Sequence, residues 1–210
     1  MKRIGVVDFG LGNLFSVQQA LHEAGAESTL VAAPSEIHSF DGLVLPGVGA
    51  FGEAMKELRE RKLDVSIRQW AEDKKPLLGV CLGLQLLMDS SEEFGSHQGL
   101  GLVAGQVKKF PAQLNGNPLR VPHMGWAEIE HSLKDHPALH GIANRTDMYF
   151  VHSYYVELGR PEAELTSTHY AGLKYTSSIV KDNIWAFQFH PEKSAAPGLR
   201  IYQNWVDHIS

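Results

Sequence analysis

The sequence predicts an α/β fold in three layers: a central, mostly parallel sheet flanked by helices, with a small antiparallel subsheet. Three observations carry this. The first half repeats a strand–turn–helix signal, which parallel strands with helices on both faces produce. Its strand segments are short, unbroken apolar runs, as strands covered on both faces require. The second half shifts to glycine- and proline-rich connections and to aromatic or β-branched segments, read as further strands, partly antiparallel, on the same sheet. No repeat, low-complexity tract or linker interrupts the 210 residues, so one domain over residues 1–210 is expected.

Taken in order, Ile4–Asp8 is a buried strand. Gly10, Gly12 and Asn13 supply turn and cap chemistry, and Leu14, Val17, Leu21 and Ala24 then fall at helical spacing. Gly25 stops that helix. Leu30–Ala32 reads as a second strand and Leu43–Leu45 as a third, closed by Pro46 and Gly47. Met55 and Leu58, then Val65, Ile67 and Trp70, mark two amphipathic helices. Pro76 is a boundary, Leu77–Val80 a fourth buried strand, and Leu82–Met88 the start of a helix. Further on, Gly105–Phe110, Trp126–Glu130, Met148–Val156 and Ile179–Phe189 have strand character.

Bulk properties exclude several classes. The net charge of −5, with no block of Lys or Arg, argues against nucleic acid and against an anionic membrane surface as partners. A single cysteine cannot form an internal disulfide, which fits a reducing, cytoplasmic setting. The N-terminal MKRIGVVDFG runs straight into a strand, without the apolar length of a signal peptide, and no apolar stretch approaches a membrane span.

That one cysteine, Cys81, lies in Gly79-Val80-Cys81-Leu82-Gly83. On residue type alone a free cysteine is a small core residue. Its setting between a buried strand and a helix, flanked by glycines, is instead the cysteine form of a nucleophile elbow. The sharp turn pushes the side chain out of the sheet, the helix N-terminus favours thiolate, and the Leu82 N–H can help bind an oxyanion.

A thiol nucleophile needs a base, and the base an orienting acid. Of the eleven histidines, His38, His97, His131, His136, His140 and His169 sit in polar segments and read as surface residues. Pro137, between His136 and His140, and the lack of further ligands speak against a metal site there. His190 is better placed. In the run IWAFQFHPE, Trp185, Phe187 and Phe189 share one face while Gln188 and His190 share the other, and the histidine ends the strand. Glu192, two residues on, can accept the imidazole Nδ1–H and fix the tautomer. His152 has no such acid beside it. A second oxyanion donor is expected from Pro46-Gly47-Val48-Gly49, the glycine loop after the third strand. The other glycine loop, Asp8–Asn13, lacks a phosphate-binding pattern and reads as a structural turn.

The combination of Gly79–Gln85 with Phe189-His190-Pro191-Glu192 resembles the class I, triad-type glutamine amidotransferases. Asp8–Val17, Leu45–Met55 and Val121–Ile129 further resemble the glutaminase subunits of imidazole glycerol phosphate synthase, and the likeness runs from about residue 4 to residue 205. The resemblance implies a class I glutamine amidotransferase-like fold with no cofactor and no metal. It also implies a Cys81–His190–Glu192 triad that hydrolyses glutamine through a thioester, an oxyanion hole from Leu82 with a Gly47-Val48 or Val48-Gly49 peptide amide, and glutamine contacts at Gln85, Ser153 and Tyr154. As partner it implies a cyclase subunit with a (β/α)8 barrel, forming a heterodimer and receiving the ammonia. His123, Met124, Gly125, Trp126 and Tyr149, with Asn13, would face it. Ala127 departs from the Asn common in the family, which removes a polar contact from that face. Family members also hold the oxyanion peptide in a state that needs the partner and its ligand. The competing expectation is a stand-alone cysteine-dependent γ-glutamyl hydrolase or peptidase on the same scaffold.

Overall fold

The protein is described by a computed structural model covering residues 1–114 and 116–209. Four parallel strands come first: β1 (Lys2–Val7), β2 (Ala26–Val31), β3 (Gly42–Leu45) and β4 (Leu77–Val80). Seven more strands of at least four residues follow: β5 (Gly105–Lys109), β6 (His123–His131), β7 (Thr146–His152), β8 (Tyr154–Leu158), β9 (Glu164–Tyr170), β10 (Leu173–Lys181) and β11 (Ile184–Phe187). The order β2-β1-β3-β4-β11 is parallel throughout. Beyond β11 the sheet continues antiparallel through β10, β8 and β5, with β9, β6 and β7 branching from β10. A separate antiparallel pair joins Gln113–Leu114 to Asn117–Pro118.

Strand alternation makes the layers. Ile4, Val6, Val44, Leu78 and Val80 face one core, covered by α1 (Leu14–Glu23) and α5 (Ala195–His208). Val7, Leu43, Leu45 and Leu77 face the other, covered by α2 (Phe51–Glu60) and α3 (Leu63–Glu72). Asn13 caps α1 by accepting from the Ser16 N–H, and Gly25 ends it at φ 85°.

Four details differ from expectation, each for a tertiary reason. The second strand begins at Ala26, because Lys2 pairs with Ala26 and the strand runs along the sheet's edge, where most of its side chains meet solvent and leave no apolar signal. Val65 is 63% exposed, since Leu63, Ile67 and Trp70 take the inward stripe of α3. Met148–Val156 is two strands broken at Ser153, and Ile179–Phe189 turns back at Asp182, whose φ is 52°. The helix after Cys81, α4, stops at Leu86; Leu87 and Met88 stay in the core outside any helix. Their carbonyls accept instead from Leu102 and Val103, and from Gly101. Among the described residues no helix is long and apolar enough to cross a membrane.

Candidate active site

Cys81 alone makes the turn from β4 into α4 (Leu82–Leu86), at φ 53° and ψ −107°. A non-glycine residue there is strained, and its surroundings must hold it. The Cys81 N–H donates to the Phe187 carbonyl at 2.7 Å, tying the elbow to β11. The flanking glycines are forced by packing. A Cβ on Gly79 would lie 2.9 Å from Ala186 Cβ, and one on Gly83 would run into the Leu45 carbonyl oxygen.

The thiol faces a cavity of about 330 Å³ at the C-terminal edge of the parallel strands. Val48, Gly49, Leu82, Gln85, Ser153 and Tyr154 line it together with Cys81 and His190. His190 follows β11, and a small hydrogen-bond network with Tyr149 and Ser194 braces its backbone. Its N–H donates to Tyr149 O at 2.9 Å, Ser194 Oγ donates to His190 O at 2.7 Å, and Tyr149 N–H donates to Ser194 Oγ at 3.0 Å.

The His190 ring is polarised. Nδ1 lies 2.7 Å from Glu192 Oε1, and each side chain is only 2% exposed. A carboxylate accepts, so Nδ1 donates and Nε2 is left for chemistry. Nε2 is buried and has no hydrogen-bond partner among the described residues. Burial disfavours the charged ring, but the Cys81 sulfur and the Glu192 carboxylate outweigh it and raise the His190 pKa to about 10. Glu192 Oε2 and Tyr202 Oη are likewise buried without a partner, and burial, then the Glu192 charge, pushes the Tyr202 phenol well above its usual range.

The donors expected for an oxyanion are not both presented. Leu82 N–H donates to the Gly47 carbonyl oxygen at 3.3 Å, so the elbow amide is already occupied. Gly49 sits at φ 104°, where glycine is favoured. Gln85 is 5% exposed, and its Nε2 donates to Tyr154 O at 3.0 Å and Gln188 Oε1 at 3.1 Å, so that nitrogen serves the protein. The Ser153 carbonyl accepts from Phe110 N–H at 3.1 Å.

Three cavity or near-cavity residues carried no role in the sequence reading. Gln188 is fully buried and its Nε2 lies 3.8 Å from Cys81 Sγ. Its signal was present in the alternation of IWAFQFHPE, which groups it with His190, although the strand itself ends at Phe187. Glu93 lines the cavity and accepts from Phe51 N–H, at the start of α2, at 2.6 Å. Burial pushes its carboxyl up, against the pull of the Phe51 amide and His97. No local pattern singles out Glu93 among the acids of its segment. His152 lines the cavity too, but burial drops its pKa to about 3, so it is neutral.

Of the residues expected at a partner face, Met124 and Trp126 are 63% and 55% exposed, and Trp126 packs edge-on against Tyr149 at 5.9 Å. Gly125 and Tyr149 are half-buried. His123 is a correction. It is buried, stacked between Phe150 and Tyr170 at 5.0 and 3.9 Å, because alternation along β6 turns 124 and 126 outward and 123 inward.

A strained cysteine elbow between a parallel strand and a helix, facing a histidine–glutamate pair, fits one known family model. Residues 5–209 match "Glutamine amidotransferase class-I", and the chain belongs to that family. The solved structure of PurLQS from Thermotoga maritima, at 16% identity, shares the fold with a TM-score of 0.80 over all of both chains. The branch is narrower. "Imidazole glycerol phosphate synthase subunit HisH" of Methanosarcina mazei is 49% identical over 209 residues, covering 99% of each chain. The subunit of the same name from Sulfurimonas denitrificans is 43% identical over 205 residues, 98% of each. Within the class I family the chain therefore falls among these glutamine amidotransferase subunits.

Proposed function

We propose that the protein is the glutaminase subunit of an imidazole glycerol phosphate synthase of histidine biosynthesis, a cytoplasmic enzyme, and that Cys81, His190 and Glu192 perform the hydrolysis. The observation that carries this is the buried His190–Glu192 pair at 2.7 Å, whose histidine lines the same cavity as Cys81. Cys81 Sγ attacks the side-chain carboxamide carbon of glutamine, and the thiol proton passes to His190 Nε2. The tetrahedral intermediate collapses, the C–N bond breaks, and His190 returns that proton to the departing ammonia. Water, deprotonated by His190, then cleaves the γ-glutamyl thioester to glutamate and restores the thiol. Glu192 keeps the imidazole oriented and balances its charge.

Ligand placement follows from the cavity's charge. Glu93 is suited to the substrate ammonium. Gln85, Ser153 and Tyr154 lie where they can hold the substrate, and Gln188 directs a donor at the sulfur. The Leu82–Gly47 hydrogen bond corresponds to a resting state. Turning the Gly47–Val48 peptide replaces the Gly47 oxygen with the Val48 N–H and frees Leu82 N–H, giving two donors for the oxyanion. A cyclase subunit with a (β/α)8 barrel, docked as a heterodimer on the Met124–Trp126 face, triggers that turn of the peptide and takes the ammonia. Glutamine-dependent product formation by the purified pair tests the assignment; a correctly folded Cys81→Ala pair that still releases glutamate at the wild-type rate would overturn it.

A further inference from the structure

Behind the cavity runs a chain of buried polar groups whose first three members, His123, Tyr175 and His152, have no part in the hydrolysis. His123 Nδ1 lies 3.0 Å from Tyr175 Oη, and Tyr175 Oη lies 3.2 Å from His152 Nε2. His152 Nδ1 lies 2.7 Å from the Tyr154 carbonyl oxygen. That same oxygen accepts from Gln85 Nε2, which also donates to Gln188 Oε1, while Gln188 Nε2 points at Cys81 Sγ.

Proton counting gives the chain one direction. The Tyr154 carbonyl only accepts, so His152 Nδ1 carries the proton. Burial keeps His152 neutral, so its Nε2 is an acceptor and must receive the Tyr175 hydroxyl proton. A phenol has one proton, so toward His123 the Tyr175 oxygen accepts and His123 Nδ1 donates. Both histidines are thereby held as the Nδ1–H tautomer. The chain begins one residue from the exposed Met124 and ends on the backbone of the cavity wall, where the glutamine-bearing branch meets it head-on.

We infer that His123, Tyr175 and His152 are positioning residues: together they fix the Tyr154 carbonyl, and through it the Gln85–Gln188 pair beneath the nucleophile. This rests on the glutaminase reading for its kinetic consequence, though not for its chemistry. The tie links the first residue of β6, the strand that presents the Met124–Trp126 face, to the substrate wall. Ring packing around Tyr175 comes from Phe110, Phe150 and Tyr155 at 5.4, 6.2 and 6.0 Å, so removing the hydroxyl alone leaves the aromatic cluster in place.

The test has two arms. Long-range ¹H–¹⁵N correlation on the free full-length chain at neutral pH reads the tautomers; both His123 and His152 are expected as neutral Nδ1–H. Either ring as Nε2–H, or protonated, overturns the chain. In the complex with the cyclase, Tyr175→Phe is expected to raise the KM for glutamine by about tenfold, the scale of one buried hydrogen bond left unmade. Tyr155→Phe, which packs on the same ring without joining the chain, is expected to leave it unchanged. A Tyr175→Phe KM within about twofold of wild type overturns the positioning role. If Tyr175→Phe does not fold, the wild-type tautomers decide. If the wild-type complex releases no glutamate, the glutaminase reading falls and the tautomer arm still decides this one.

Discussion

The Leu82 amide donates to the Gly47 carbonyl oxygen at 3.3 Å, so the amide proposed as the elbow's oxyanion donor is spoken for in the free chain. Removing one oxyanion donor costs roughly 10²–10³ in rate in hydrolases of this chemistry. The isolated chain should therefore release glutamate slowly, and adding the cyclase subunit with its bound ligand should raise the rate by about that factor. Glutamate release with and without partner measures it, and equal rates would sink the gating idea.

Glu192→Gln keeps the shape of the acid but removes the charge opposite His190 Nδ1. Loss of the matching acid in a Ser-His-Asp enzyme lowers kcat by about 10⁴, so a fall of about 10²–10⁴ in glutaminase kcat is expected, with KM little changed. A variant with wild-type kcat would remove Glu192 from the machinery.

Gly83→Ala should destabilise the fold rather than the chemistry alone. A methyl there meets the Leu45 backbone oxygen, which cannot rotate away as a side-chain tip can. A loss of about 1–3 kcal/mol or more is expected, read as a lower denaturant midpoint at unchanged slope. An unchanged midpoint would mean that the elbow relaxes.

Stability should respond to pH on two sides. His123 and His152 have pKa values lowered by burial to about 4 and about 3, from an ordinary 6.5. The unfolded chain binds their protons first, so their contribution is present above pH 6.5 and is lost as pH falls toward 3. Unfolding in that window should take up as many as about two protons from this pair. His190, raised to about 10, has the opposite sign: its contribution is full below 6.5 and fades as pH rises through 10. Chemical denaturation across pH checks both limbs, and His190→Ala should flatten the alkaline one.

Trp126→Ala should weaken cyclase binding while leaving the free chain's stability nearly unchanged, because the indole is 55% exposed. Buried aromatic anchors at interfaces cost about 2 kcal/mol or more on truncation. Titration calorimetry with the cyclase measures this, and an unaltered Kd would place the partner elsewhere.

Much of the site was legible along the chain because its chemistry is local. Cys81 needs a strand before it, a helix after it and small neighbours, and all lie within five residues. His190 and Glu192 are two residues apart, so their pairing at 2.7 Å is a short-range geometry that spacing announces. The same applies to β4, whose bounds match the apolar run, and to the cap at Asn13. The edge strand β2 was only half legible, since strand pairing, not burial, holds Ala26 to Leu30.

The sequence by itself determined the layered α/β architecture and singled out the proposed nucleophile, base and orienting acid, because periodicity, turn chemistry and short spacings are properties of neighbouring residues. Only the tertiary structure decided that His123 turns inward, that Gln188 reaches the sulfur, that Glu93 lines the cavity, and that the Leu82 amide is already bonded. Those are meetings of residues distant along the chain, up to 107 positions apart, or of one backbone peptide with another. They depend on strand order, register and peptide orientation, which no local pattern of side chains encodes.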